Sequence, residues 1–120
     1  MKIWAKITGL HFRTNHSYPC GKNLKDPNAS TIQFPHTHRM YVSLKIQQKH
    51  TNRDIEYISL ENELRIKLDQ ISYEMGNDSN FSCEDIAMSI YSDFKRKYTK
   101  RDIIVEVLED NHNGTVLGDC

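Results

Sequence analysis

No charge of either sign predominates in this chain. Lys plus Arg and Asp plus Glu each number 16 in 120 residues, a formal net charge of zero. Long-range attraction to nucleic acid or an anionic membrane needs a surplus of cations, so neither partner is expected. Cysteine is sparse: Cys20, Cys83 and Cys120 are an odd set with no paired spacing. That excludes a disulfide framework and points to a reducing, cytoplasmic compartment. The Asn-x-Ser/Thr triplets at Asn28, Asn80 and Asn113 are then chance matches. No apolar run of signal-peptide or membrane-spanning length opens the chain. No repeat, low-complexity run or linker divides it, and its length suits one domain, 1–120, with a single modest core.

What is present is periodicity. Ile3, Ala5, Ile7 and Gly9 alternate with polar neighbours over residues 2–16, which predicts a first strand, bulged near Gly9. Residues 17–35 are rich in Pro, Gly, Asn, Asp, Ser and Lys and read as a long loop of the functional or mobile kind. From His36 the pattern turns to a clean period of two, Met40, Val42, Leu44 and Ile46 marking the buried face of a second strand. A polar break at Lys49–Asp54 and a short extended piece, Ile55–Ile58, come next. Leu60, Leu64, Leu68 and Ile71 then recur at helical spacing, with Ser59 as the N-cap. Ser82-Cys-Glu-Asp85 has the form of a capping box and opens a second helix with Ile86, Ala87, Ile90, Tyr91 and Phe94 on its apolar face. Ile103, Val105 and Val107 predict a third strand, and a turn at Asn111–Gly114 leads to a short fourth. The expected fold is therefore α+β: a four-stranded antiparallel sheet in the order ββααββ with both helices on one face. Two open edges favour a homo-oligomer.

Of the six histidines, His36 and His38 form the informative pair. Alternate strand residues share a face, so His-Thr-His at the head of the second strand aims both imidazoles the same way, at the margin of the face holding Met40 and Val42. Convergent imidazoles suit zinc, which in catalytic sites takes three protein ligands and keeps a fourth position open. A third ligand would come from the end of the first strand, where His16 stands, with His11 as the alternative.

At this point the chain resembles the 6-pyruvoyltetrahydropterin and 6-carboxytetrahydropterin synthases, over roughly residues 12–118. His36-Thr-His38-Arg-Met-Tyr-Val-Ser-Leu resembles their H-G-H-x-x-x-V-x-(apolar) segment, and Phe12-Arg-Thr-Asn-His16 their F-x-A-x-H. Ile55-Glu-Tyr-Ile-Ser-Leu resembles the stretch entering their first helix, and Leu68-Asp69-Gln70 their L-D-H. Phe81-Ser-Cys-Glu-Asp-Ile-Ala87 resembles P-T-x-E-x-(apolar)-A, and Val105-Glu-Val-Leu-Glu109 their V-x-V-x-E. The resemblance implies a tunnelling fold, in which copies join their sheets into a barrel, as a hexamer with active sites between subunits. It implies zinc on His16, His36 and His38, and a dihydropterin held by Glu109 beside Ser82, Cys83 and Glu84. A carboxylate such as Glu109 can accept two parallel N–H bonds from the amidine edge of a pterin. The implied reaction is that of a lyase in the queuosine-type deazaguanine pathway, converting 7,8-dihydroneopterin triphosphate to 6-carboxytetrahydropterin. The alternatives are 6-pyruvoyltetrahydropterin synthase-like chemistry and a non-catalytic zinc- and pterin-binding homologue.

The chain departs from that family at the bases. Its cysteine just ahead of H-x-H is missing; Cys20, in Cys-Gly-Lys-Asn, lies sixteen residues before His36 and would need a loop to fold back. Asp69 is kept, but Gln70 replaces the relay histidine, and an amide does not exchange a proton near neutral pH. Cys83, near a helix N-terminus, would have its thiolate favoured by the helix dipole and could serve as a substitute base; the other reading is a small packed residue.

Overall fold

A computed structural model of the chain describes residues 1–17, 23–31, 34, 36–76 and 81–119, without the side chains of residues 16, 29 and 30. The elements run β1 (Ile3–His16), α1 (Pro27–Ser30), β2 (His36–Gln48), α2 (Tyr57–Met75), α3 (Cys83–Lys97), β3 (Ile103–Glu109) and β4 (Asn113–Gly118). The four strands form one antiparallel sheet in the order β1-β2-β3-β4, with α2 and α3 inserted between its middle strands. The expected ββααββ layout is present, with a single turn, α1, added in the connection after β1.

Alternation decides which face of the sheet is buried. Met40, Val42, Leu44 and Ile46 of β2 and Ile103, Val105 and Val107 of β3 are fully buried beneath the helices. In β1 the alternation changes phase. Ala5 and Ile7 are buried before Gly9, and Leu10 and Thr14 after it. The pairing with β2 slips between Ile7 and Leu10, and Gly9 takes φ +84°. A bulge at that point inserts one residue, and glycine supplies the positive φ without steric cost. Fully burying each such aliphatic side chain contributes roughly 1.5–3 kcal/mol.

Helix α2 packs Leu60, Leu64, Leu68, Ile71 and Met75 inward at helical spacing. It starts three residues earlier than the sequence suggests. Its N-cap is Glu56, whose carboxylate accepts from Ser59 N–H at 2.6 Å, so Ser59 lies inside the first turn and the expected extended piece at Ile55–Ile58 ends at Glu56. Ile55 is buried in the core, whereas Tyr57 and Ile58 are exposed on the helix; their apolar character belongs to no strand. Helix α3 has the expected capping box. Ser82 Oγ accepts from Asp85 N–H at 3.1 Å, and the Asp85 carboxylate accepts from Ser82 N–H at 3.1 Å. Glu84 and Asp85 in its first turn and Lys95, Arg96 and Lys97 in its last complement the helix dipole. Among the described residues no helix is long and apolar enough to cross a membrane.

A polar latch closes the far end of the sheet. Arg101 forms an ion pair with Asp54, both side chains mostly buried, and donates to the Gln47 carbonyl at 3.1 Å. Gln47 N–H donates to the Asp102 carbonyl at 2.9 Å, and Gln47 Oε1 accepts from Asp102 N–H at 3.2 Å. Asp54 also accepts from Lys49 N–H at 2.7 Å. The Arg101 guanidinium, with that backbone donor, holds the Asp54 carboxyl well below the usual carboxylate range.

The other sheet face is exposed and basic. Lys6 stands directly opposite Lys45, and Arg13 opposite Arg39, with His11 and Tyr41 between them. Glu106 is the only carboxylate among the described outward strand residues. Like charges directly opposed across a ladder are unfavourable.

Two predictions follow from these charges. Lys45→Glu should raise stability by about 0.5 kcal/mol in urea unfolding, and the gain should shrink as salt screens the pair; a loss of stability would show that Lys6 and Lys45 do not repel. Asp54 titrates lower folded than unfolded, so its contribution is complete above the ordinary carboxylate range and is lost as pH falls through about 4 and below. Asp54→Asn should therefore be clearly less stable than the parent at about pH 7, with the gap narrowing progressively as pH falls below about 4. A gap independent of pH would assign its cost to something other than charge.

Candidate functional site

Five segments distant in sequence meet at the end of the sheet opposite the latch. β2 begins with His36 and His38 on the helix-covered face, the face that continues into Met40. Met40 pairs with Glu109, which puts the last residue of β3 beside them. Helix α3 starts there with Cys83, which is buried. Thr14 of β1 pairs with His38 and donates from its buried hydroxyl to Met75 Sδ at 3.5 Å, fixing the end of α2 to the same rim.

The histidine rings lie 4.7 Å apart, centroid to centroid, at 84°. His36 Nδ1 is 2.7 Å from the Phe34 carbonyl oxygen. His38 Nδ1 is 2.6 Å from Asp110 Oδ2, and its Nε2 is 3.6 Å from Glu109 Oε2. A carbonyl and an ionised carboxylate only accept, so in each neutral ring Nδ1 carries the proton and Nε2 the lone pair. A metal-ligating histidine is commonly anchored in this way through one ring nitrogen. Asp110 is suited to the role, because Arg39 N–H and then the His38 ring hold its carboxyl below the usual range.

The third expected ligand, His16, stands directly opposite His36 in the β1–β2 ladder; its side chain lies outside the described residues. The alternative, His11, is placed elsewhere. The residue inserted at the bulge sends His11 to the other face of the sheet, where its ring lies 5.0 Å from that of Tyr41. Among the described residues no group of three or more His, Cys, Asp or Glu side chains is arranged to hold a metal.

Of the two readings of Cys83, the structure supports the packed residue and not the base. Burial, followed by the negative charges of Glu109 and Glu84, pushes its thiol up to about 12, with the Glu109 carboxylate as hydrogen-bond partner. Desolvation and two carboxylates outweigh the helix dipole, so Cys83 is a neutral thiol at physiological pH and not a base. Ser82 is half-buried and occupied as the N-cap, and Glu84 is exposed beside it. Asp69 is not brought to the rim. It is exposed on α2, six residues or about 9 Å of helix before Met75. Its neighbour Gln70 donates to Glu74 at 3.2 Å and lines a groove of about 200 Å³ between α2 and α3, with Ile66, Lys67 and Asp93. Cys20 lies outside the described residues.

Asp110 and the Phe34 carbonyl are additions that the sequence reading lacked. The one signal was the Asp-Asn pair directly after a strand, a turn signature. No protein-family model matches this chain, and no curated protein matches it.

Burial and the neighbouring carboxylates suppress ionisation of the Cys83 thiol near neutral pH. Iodoacetamide should therefore leave Cys83 unmodified in the native protein and label it after urea unfolding, as read by peptide mass mapping. Equal labelling rates in the two states would show that the thiol is neither buried nor suppressed.

Proposed function

We propose that this chain is a zinc-dependent lyase of the 6-carboxytetrahydropterin synthase type, acting on 7,8-dihydroneopterin triphosphate in a deazaguanine precursor pathway. One observation carries the reading. His36, His38, Cys83 and Glu109, from motifs spread over 74 positions, meet at one rim of a ββααββ sheet, and both imidazoles are anchored through Nδ1. His16, His36 and His38 would hold the zinc. When bound, the ion acts as a Lewis acid towards the substrate's side-chain hydroxyls and makes the adjacent protons easier to remove.

The rest of the chemistry belongs to the chain. Glu109 accepts the paired N–H groups of the pterin amidine edge and so fixes the ring's orientation. Cys83, buried behind it, directs a neutral S–H at the carboxylate and excludes water from that side. Ser82 and Glu84 flank Cys83 at the start of α3, where the helix dipole is positive. Cys20 is the proposed base, supplied by the connection after β1. Asp69 and Gln70 stand apart from the rim within one chain, so no Asp–His relay contributes from the same copy. Copies of the chain would join through the edges β1 and β4 to close a barrel, in the cytoplasm, with α2 and α3 outside.

A second reading has its own observation. The described rim offers no cysteine or relay histidine that takes up a proton at neutral pH: the Cys83 thiol is held neutral, and Gln70 stands where a histidine would. A non-catalytic homologue that binds zinc and a pterin fits that feature.

Incubating the zinc-loaded protein with 7,8-dihydroneopterin triphosphate separates the two. Formation of 6-carboxytetrahydropterin and acetaldehyde, detected by mass, is expected, with zinc content and turnover both lost in His38→Ala. Retention of the pterin without turnover would establish the binder, and full activity in a zinc-free His38→Ala protein would overturn both.

A further inference from the structure

Asp110 holds a backbone conformation that few side chains adopt. Its φ is +51°, that of Asn111 is +62°, and the His112 N–H closes the turn on the Glu109 carbonyl at 2.9 Å. Positive φ at both central positions is what a type I′ hairpin turn requires, and for a residue other than glycine it carries a cost. A residue kept in such a region is over-determined by its surroundings and points to a role. Here the surroundings are specific. Asp110 N–H donates to the Arg39 carbonyl at 2.7 Å, and Arg39 N–H donates to Asp110 Oδ1 at 3.0 Å. One carboxylate oxygen is thus locked to the backbone of β2, and the other, Oδ2, meets His38 Nδ1 at 2.6 Å.

We propose that Asp110 is a positioning residue that fixes the ring orientation and tautomer of His38 and so prepares His38 Nε2 to ligate the metal. The ligation half rests on the zinc reading above; the tautomer half stands without it. Which imidazole nitrogen carries the proton is set by the bonds the two nitrogens make, and Asp110 at 2.6 Å from Nδ1 outcompetes Glu109, which stands 3.6 Å from Nε2, beyond hydrogen-bond distance. The turn conformation, the two-way bond to Arg39 and the short contact to the ring all serve that one placement. His36 supplies an internal control, because its Nδ1 rests on the Phe34 main-chain carbonyl, which no substitution at 110 removes.

Two variants separate positioning from turn formation. Asp110→Gly keeps the positive φ and removes the carboxylate. Asp110→Asn keeps the turn and an oxygen for Arg39 N–H, but turns an NH₂ donor towards His38 Nδ1 and so drives the ring proton to Nε2. The ring nitrogens are read by long-range proton–nitrogen NMR on zinc-free protein. Zinc affinity is read separately by competition with a chromophoric chelator. The parent should show His38 protonated on Nδ1. Asp110→Asn should move that proton to Nε2 while His36 stays as in the parent, and both variants should bind zinc roughly 10–100-fold more weakly. A parent His38 protonated on Nε2, or a tautomer unchanged in both variants, overturns the proposal; so does unchanged zinc affinity. A parent that binds no zinc overturns the ligation half together with the reading it rests on, and the NMR result still decides whether Asp110 sets His38.

Discussion

The ion pair of Asp54 with Arg101 is the constraint on which the candidate site depends, although it lies at the other end of the sheet. β2 ends at Gln48 and β3 begins at Ile103, so their pairing must be fixed across the whole helical insertion. Closing so long a loop is entropically costly, and a slip of one residue would turn every side chain of β3 to the wrong face. Arg101 and Asp102 close the loop by gripping Asp54 and both ends of the Gln47 residue, its carbonyl and its side chain. With Ile46 thereby opposite Ile103, six further residues along the ladder bring Met40 opposite Glu109. The contacts of His38 with Glu109 and Asp110 follow from that count.

The helices then convert register into environment. Because α2 and α3 lie on the face that His36 and His38 share with the core, the site is apolar below and polar only at its rim. Cys83 shows the consequence. Its place in the first turn of α3 would by itself favour a thiolate, but the same helix presses it into the core beside Glu109, and burial decides. Lys67 survives on the buried side of α2 because its ammonium meets Asp93 of α3 at 2.6 Å, so the one buried cation on that helix also joins the two helices.

Much of this was legible in the sequence, and the reasons differ from place to place. The strands and helices follow from period two and period 3.6, the capping box from Ser82 and Asp85, and the bulge from a glycine where the alternation changes phase. The start of α2 was misread because Tyr57 and Ile58 are apolar yet exposed, and because glutamate is an unusual N-cap. The face of His11 was open in the sequence reading, and counting the alternation on both sides of Gly9 settles it. Glu109 was legible as the end of an apolar stripe, whereas the partnership of Asp110 with His38 was not. That contact joins residues 72 positions apart and depends on a turn conformation and a strand register together, neither of which is a local property.

The exposed sheet face shows what a formal charge of zero conceals. Four cations and one carboxylate on its described strand residues mean that the remainder of the molecule carries the compensating negative charge. Two copies meeting by this face would repel through those cations, most strongly in dilute salt.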